Sequence, residues 1–135
     1  SRDEAFAELL TNDSKYYVTH ATPSPEVAIR TIVAAGGVAV IAHPMASRRG
    51  DVISPSIFSD LVAAGLHGIE IDHRDHTANE RTQLRQVAAE LNLVITGASD
   101  YHGQGKLNSL GENLTDPAQW ERLESLASHR RVVTP

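Results

Sequence analysis

Leu93-Val94-Ile95-Thr96-Gly97-Ala98-Ser99-Asp100-Tyr101-His102-Gly103 is an apolar run of strand length that breaks at glycine and delivers an aspartate and a histidine two positions apart. In extended backbone the side chains at i and i+2 leave on the same side, so the Asp100 carboxylate and the His102 imidazole are expected to converge just beyond the strand. Two other stretches end alike. Val38-Ala39-Val40-Ile41-Ala42 runs into His43-Pro44, and Gly68-Ile69-Glu70-Ile71 runs into Asp72-His73-Arg74-Asp75-His76. Sites in α/β folds are built at the C-terminal edge of the sheet, so three strands finishing in titratable residues predict a fold and a site together.

Helix signals separate these strands. Ser24-Pro25-Glu26 supplies an N-cap, a proline at the first helical position and a carboxylate in the first turn. Val27, Ile29, Ile32 and Val33 then form an apolar face that stops at Gly36-Gly37. Ser54-Pro55 opens a second helix, carrying Ile57, Phe58, Leu61 and Val62 to Gly65. A longer helix is predicted over Ala78 to Leu91, a third strand over Leu93 to Thr96, and a last helix after Asp116-Pro117 with Trp120, Leu123 and Leu126 on one face. Ala5 to Leu10 reads as helical, Tyr16-Tyr17-Val18-Thr19-His20 follows it, and Val132-Val133 reads as a short closing strand.

Apolar strands joined through helices, without alternating polarity, imply a parallel sheet covered by helices. The expected class is therefore α/β. A βα unit takes about 25 to 30 residues and a closed barrel on the order of 250, so three or four parallel βα units, roughly half of a barrel, are expected. The 135 residues are read as a single domain. Because no strand opens the chain, it is expected to continue a longer protein.

Composition narrows the function. Hydrophobic residues make up 41% and charged residues 21%, the balance of a soluble globular domain. No run approaches the ~20 apolar residues of a transmembrane helix, and Ser1-Arg2-Asp3-Glu4 lacks the pattern of a signal peptide, so a cytoplasmic protein without membrane contact is expected. A formal net charge of -5 argues against a broad groove tracking nucleic-acid phosphates. With no cysteine, any metal must be held by imidazole nitrogen and carboxylate oxygen, which suits Mn, Zn, Fe or Mg. Of seven histidines, His20, His43, His73, His76 and His102 fall at strand ends or in loops, while His67 and His129 look structural.

Each candidate has a plainer alternative. An isolated Asp-x-His is often a turn aspartate beside a surface histidine, yet His43 after a parallel strand turns Asp100 and His102 toward metal ligation. Pro44 fixes the chain direction where the His43 ring leaves the sheet, although a hydrogen-bonded core histidine would look the same. His73 and His76 lie in a charged loop, and Arg48 and Arg49 could be plain surface charge. An arginine on this sheet edge could equally clamp a phosphate through its planar fork of donors. A serine nucleophile is excluded, because Gly97-Ala98-Ser99-Asp100-Tyr101 lacks the glycine that follows in a nucleophile elbow.

Together, Ala39-Val40-Ile41-Ala42-His43-Pro44, Gly68-Ile69-Glu70-Ile71 with His76, and Gly97-Ala98-Ser99-Asp100-Tyr101-His102 resemble the C-terminal half of the polymerase and histidinol phosphatase (PHP) family. The likeness spans roughly Tyr16 to Asn113. It is nearest the bacterial branch that removes the 3′-phosphate of nucleoside 3′,5′-bisphosphates and trims short RNA from its 5′ end. The resemblance implies a distorted, TIM-like β/α barrel with divalent metal ions at the C-terminal strand ends, hydrolysing phosphate esters. It implies that His43, Asp100 and His102 are metal ligands and catalytic residues. His76 and Arg48 or Arg49 would lie on the substrate side, although Met45-Ala46-Ser47 departs from the glycine the family carries after this proline.

The family's opening His-x-His has no counterpart in this chain. The expectation is a C-terminal segment whose N-terminal metal-binding half is absent, inactive alone, with open edges that favour self-association. Two other readings fit the sequence: a noncatalytic PHP-like binding or assembly module, and a polymerase-associated PHP exonuclease domain.

Overall fold

The structure, a computed structural model, describes residues 1–11, 13–19, 21–103 and 107–127. His20, His129 and the expected strand at Val132-Val133 lie outside them. The ordered elements are α1 (Arg2–Glu8), α2 (Pro25–Ala34), β1 (Ala39–Ile41), α3 (Phe58–Ala63), β2 (Leu66–Asp72), α4 (Ala78–Glu90), β3 (Val94–Gly97) and α5 (Pro117–Ser125), with short 3-10 turns at Ser47–Arg49 and Pro55–Ile57. The three strands form one parallel sheet in the order β1-β2-β3. This is the α/β arrangement the sequence predicts, with sequential strands adjacent and their C-terminal ends on one edge.

Local signals explain most boundaries. Ser24 accepts from the Val27 amide with Pro25 at the first helical position of α2. Thr77 and Glu80 form a reciprocal capping box that opens α4. Asp116 accepts from the amides of Ala118 and Gln119 to start α5. The expected helix after Ser54-Pro55 is divided into a 3-10 turn and α3, because Ser54 first bonds the Ser56 amide and tightens the opening turn. At the N-terminus the helix starts earlier than expected, at Arg2, where Ser1 and Glu4 form a capping box.

The core lies on β2. Ile69 and Ile71 are fully buried there, in one cluster with Phe58 and Leu61 of α3, Leu84 and Ala88 of α4, and Leu93 just before β3. Each such side chain contributes about 1.5–3 kcal/mol when fully buried, so the central strand anchors the sheet edge that follows it. Gly68 allows the three strands to close up: a Cβ there would meet the Val94 carbonyl oxygen at 3.0 Å and Val40 Cγ2 at 3.3 Å. Among the described residues no helix is long and apolar enough to cross a membrane.

Candidate active site

All three strands leave the sheet into one cluster of charge. His43 stands two residues beyond β1 with φ +29°, and Asp100 three residues beyond β3 with φ +49°. Both occupy left-handed backbone, a region in which Asp and His are several-fold enriched among non-glycine residues and which recurs at functional sites. This corrects the extended geometry expected for Asp100-Tyr101-His102. The chain has already turned at Asp100, so i, i+2 alternation does not direct these two side chains.

Gly97 makes the turn possible. The segment 113–115 lies directly on the end of β3, where Thr115 Oγ1 accepts from the Gly97 amide at 3.0 Å and donates to the Gly97 carbonyl at 3.1 Å. A Cβ on Gly97 would come within 2.3 Å of the Asn113 carbonyl oxygen, so a side chain is sterically barred.

Arg49 is the centre of the cluster. Its Nε donates to Asp75 Oδ2 at 2.5 Å and its Nη2 to Asp100 Oδ2 at 2.5 Å, while Nη1 lies 3.3 Å from His43 Nε2. A guanidinium only donates, so His43 Nε2 accepts and its proton resides on Nδ1. One side chain from the 3-10 turn after β1 thus joins the exits of all three strands. Its neighbour Arg48 is exposed.

Behind Arg49 lies His73, fully buried, its ring centroid 4.9 Å from that of His43. His73 Nδ1 accepts the Asp75 amide at 3.1 Å, which leaves Nε2 facing Glu70 Oε1 and Asp100 Oδ2, each 3.8 Å away. Neither His73 Nε2 nor Glu70 Oε1 has a hydrogen-bond partner, although both are buried. Burial, then His43 and Arg49, hold the His73 pKa below its ordinary value, so the ring is neutral and the 3.8 Å approaches are not ion pairs. Burial, then Asp100, push the Glu70 carboxyl up. Unpartnered buried polar atoms each cost about 1–3 kcal/mol, and these two face each other across 3.8 Å at the edge of the cluster.

His102 is half exposed, and its Nδ1 lies 2.7 Å from the Asp100 carbonyl oxygen and 3.4 Å from Asp100 Oδ1. His76 sits differently from the sequence expectation. It is buried, accepts the Met45 amide on Nε2 at 3.3 Å and therefore donates from Nδ1 to the Ile71 carbonyl at 2.8 Å. Both ring nitrogens are bound to backbone, so His76 staples the β1 exit to the end of β2 and has no nitrogen left for a substrate in this arrangement.

Sequence reasoning does not single out Glu70 or Asp75, and it reads His73 as part of a charged loop, whereas the structure buries it. Glu70 carried one signal: a carboxylate inside the apolar run Gly68-Ile69-Glu70-Ile71 requires a partner.

Among the described residues no three His, Asp or Glu side chains are arranged to hold a metal ion as they stand; the Arg49 guanidinium lies between His43 and Asp100. The donor chemistry nevertheless fits a divalent cation. Imidazole nitrogens of His43 and His102 and carboxylate oxygens of Asp100 and Glu70 gather at one sheet edge, and Glu70 Oε1 is buried without a hydrogen-bond partner.

Known proteins resemble this chain. The chain is 42% identical over 85 residues to a phosphoribosyl 1,2-cyclic phosphate 1,2-diphosphodiesterase of Eggerthella lenta, covering 62% of this chain and 30% of that one. It is 35% identical over 101 residues to a 3′,5′-nucleoside bisphosphate phosphatase of Chromobacterium violaceum, covering 75% of this chain and 35% of that one. A crystal structure described as a metal-dependent phosphoesterase, from Bifidobacterium adolescentis, superposes with a TM-score of 0.83 at 37% identity over 95% of this chain and 45% of that chain. The chain thus resembles proteins named as phosphoesterases along most of its length. No family model matches it. The chain spans about a third of the length of these curated relatives, and its parallel sheet is consistent with part of a barrel fold.

Proposed function

We propose that this chain carries one side of the active site of a phosphoesterase that hydrolyses phosphate esters of nucleotides with divalent metal ions. The observation that carries the reading is the meeting of three strand exits at His43, Glu70, His73 and Asp100, with His73 Nε2 and Glu70 Oε1 left unpartnered beside Asp100. His43, Asp100 and His102 remain the proposed ligands, joined now by Glu70. Metal ions bound there would generate hydroxide from water near neutral pH and neutralise charge on the phosphoryl group.

The protein groups have separate tasks. Asp100 and Glu70 supply negative charge, and the imidazoles of His43 and His102 supply nitrogen donors. His73 accepts the Asp75 amide on Nδ1, so its proton resides on Nε2, which faces Glu70 and Asp100 as a donor and positions these carboxylates. Arg49 is the phosphate grip. Its donor fork matches two phosphoryl oxygens as well as it matches the carboxylates it now binds, so substrate can take over those bonds. Arg48, exposed on the same turn, adds positive charge at the entrance.

The substrate class is a ribose-linked phosphate ester, with a nucleoside 3′,5′-bisphosphate as the preferred form. The reading is supported by relatives that are named for a bisphosphate phosphatase and a cyclic phosphodiesterase, both of which cleave phosphate esters. Its test is release of inorganic phosphate by the full-length protein with Mn²⁺, offered a nucleoside 3′,5′-bisphosphate, a ribose cyclic phosphate and a short 5′-phosphorylated RNA. Turnover of the bisphosphate that stops with EDTA supports the proposal. Tight binding of substrate with no hydrolysis under any metal would instead make this a noncatalytic binding module.

A further inference from the structure

Asp100 lies outside every strand and helix, in left-handed backbone, and yet its carboxylate meets Arg49 and faces His73. Something must hold that conformation. The carboxamide of Asn108 does so: Nδ2 donates to the Ser99 carbonyl at 2.7 Å and to the Asp100 carbonyl at 3.3 Å. Asn108 is only 8% exposed.

The orientation of this amide is fixed chemically. Arg74 Nη1 donates to Asn108 Oδ1 at 2.7 Å, and because a guanidinium cannot accept, the oxygen must face Arg74 and the nitrogen the two carbonyls. Arg74 Nε is in turn 3.4 Å from Glu112 Oε1, and Glu112 accepts the Ser109 amide, closing the network on the loop that carries Asn108. Arg74 comes from the exit of β2, so the network sets the Asp100 turn relative to the strand that supplies Glu70 and leads into His73.

We propose that Asn108 is a positioning residue for Asp100, setting the affinity of the site for a divalent cation by clamping the Ser99 and Asp100 carbonyls from a buried, Arg74-fixed carboxamide. The inference rests on the reading of Asp100 as a metal ligand. Groups that orient ligands from behind commonly change metal affinity by about 10–100-fold when altered.

The experiment measures Mn²⁺ affinity of the full-length protein by competition with a chelating dye, for wild type, Asn108→Ala, Asn108→Asp and Asp100→Asn, with the thermal midpoint of each metal-free protein alongside. Asn108→Asp keeps the volume and the oxygen for Arg74 but turns an acceptor toward two carbonyls. It also serves if Asn108→Ala fails to fold. Clamping predicts Mn²⁺ affinity lower by roughly 10-fold or more in both Asn108 variants, with Asn108→Asp at least as weak as Asn108→Ala. A filler of space would give the reverse order, with Asn108→Asp near wild type. Wild-type affinity in the folded Asn108 variants, with or without a lower thermal midpoint, overturns the proposal. If Asp100→Asn loses Mn²⁺ while the Asn108 variants keep it, only the clamp falls. If Asp100→Asn keeps it, the reading of Asp100 falls and the clamp with it.

Discussion

Arg49 and Asp100, 51 positions apart in sequence, are joined by a 2.5 Å bond from Nη2 to Oδ2 that ties the exit of β1 to the exit of β3. The same guanidinium holds Asp75 beyond β2. A cation at this point satisfies two carboxylates that would otherwise repel, and Asp100 is the strongest influence holding the Arg49 guanidinium in its charged form. In the proposed enzyme this cation faces the phosphate.

Replacing Arg49 should therefore separate binding from chemistry. Arg49→Ala in the full-length protein is expected to raise KM by roughly 10-fold or more, with the metal content of the purified protein unchanged, the mark of lost substrate binding. Arg48→Ala should change KM by less, because Arg48 is exposed and does not touch the cluster. Steady-state kinetics beside metal analysis decides this, and equal effects of the two variants would contradict the assignment of Arg49 as the grip.

His76 should behave as a structural residue. His76→Ala removes the acceptor of the buried Met45 amide and the donor to the Ile71 carbonyl, so about 1–3 kcal/mol of stability should be lost. Urea denaturation measures it. A variant with wild-type stability and a selectively raised KM would return His76 to the substrate side.

Glu80 links folding to pH. Hydrogen bonds from Ser47, then from the Thr77 backbone, bring its carboxyl from an ordinary 4.5 down to about 2. A carboxylate whose folded pKa is depressed stabilises the fold fully above the unfolded pKa and loses that contribution as pH falls through the folded one. The stability advantage of wild type over Glu80→Gln should accordingly be constant above about pH 5 and shrink toward pH 2. Denaturation midpoints across that range test it; an advantage independent of pH would show that the carboxylate charge contributes nothing.

The strands and helices were legible because their signals are local. Ser24-Pro25, Thr77 with Glu80, and Asp116-Pro117 each cap a helix where expected, and apolar runs between glycines became β1, β2 and β3. His43 and Asp100 were legible for the same reason, as the first titratable residues past a strand. What eluded the sequence depended on tertiary register. Nothing local says which of two adjacent exposed arginines bonds the cluster, that His73 is buried while His102 is half exposed, or that both His76 nitrogens meet backbone. The i, i+2 reasoning at Asp100 failed because the packing of residues 113–115 on Gly97 and the Asn108 carboxamide bend the chain before Asp100 is reached.

The central claim is that Asp100 holds a catalytic divalent ion at the meeting of the three strand exits. Asp100→Asn keeps the size of the side chain and removes its charge, so the full-length variant, purified and assayed by metal analysis together with phosphate release from a nucleoside 3′,5′-bisphosphate, tests it most directly. The expected result is loss of bound metal and a fall in kcat of about 10²-fold or more, the two moving together. A variant that retains both its metal and its rate would contradict the account.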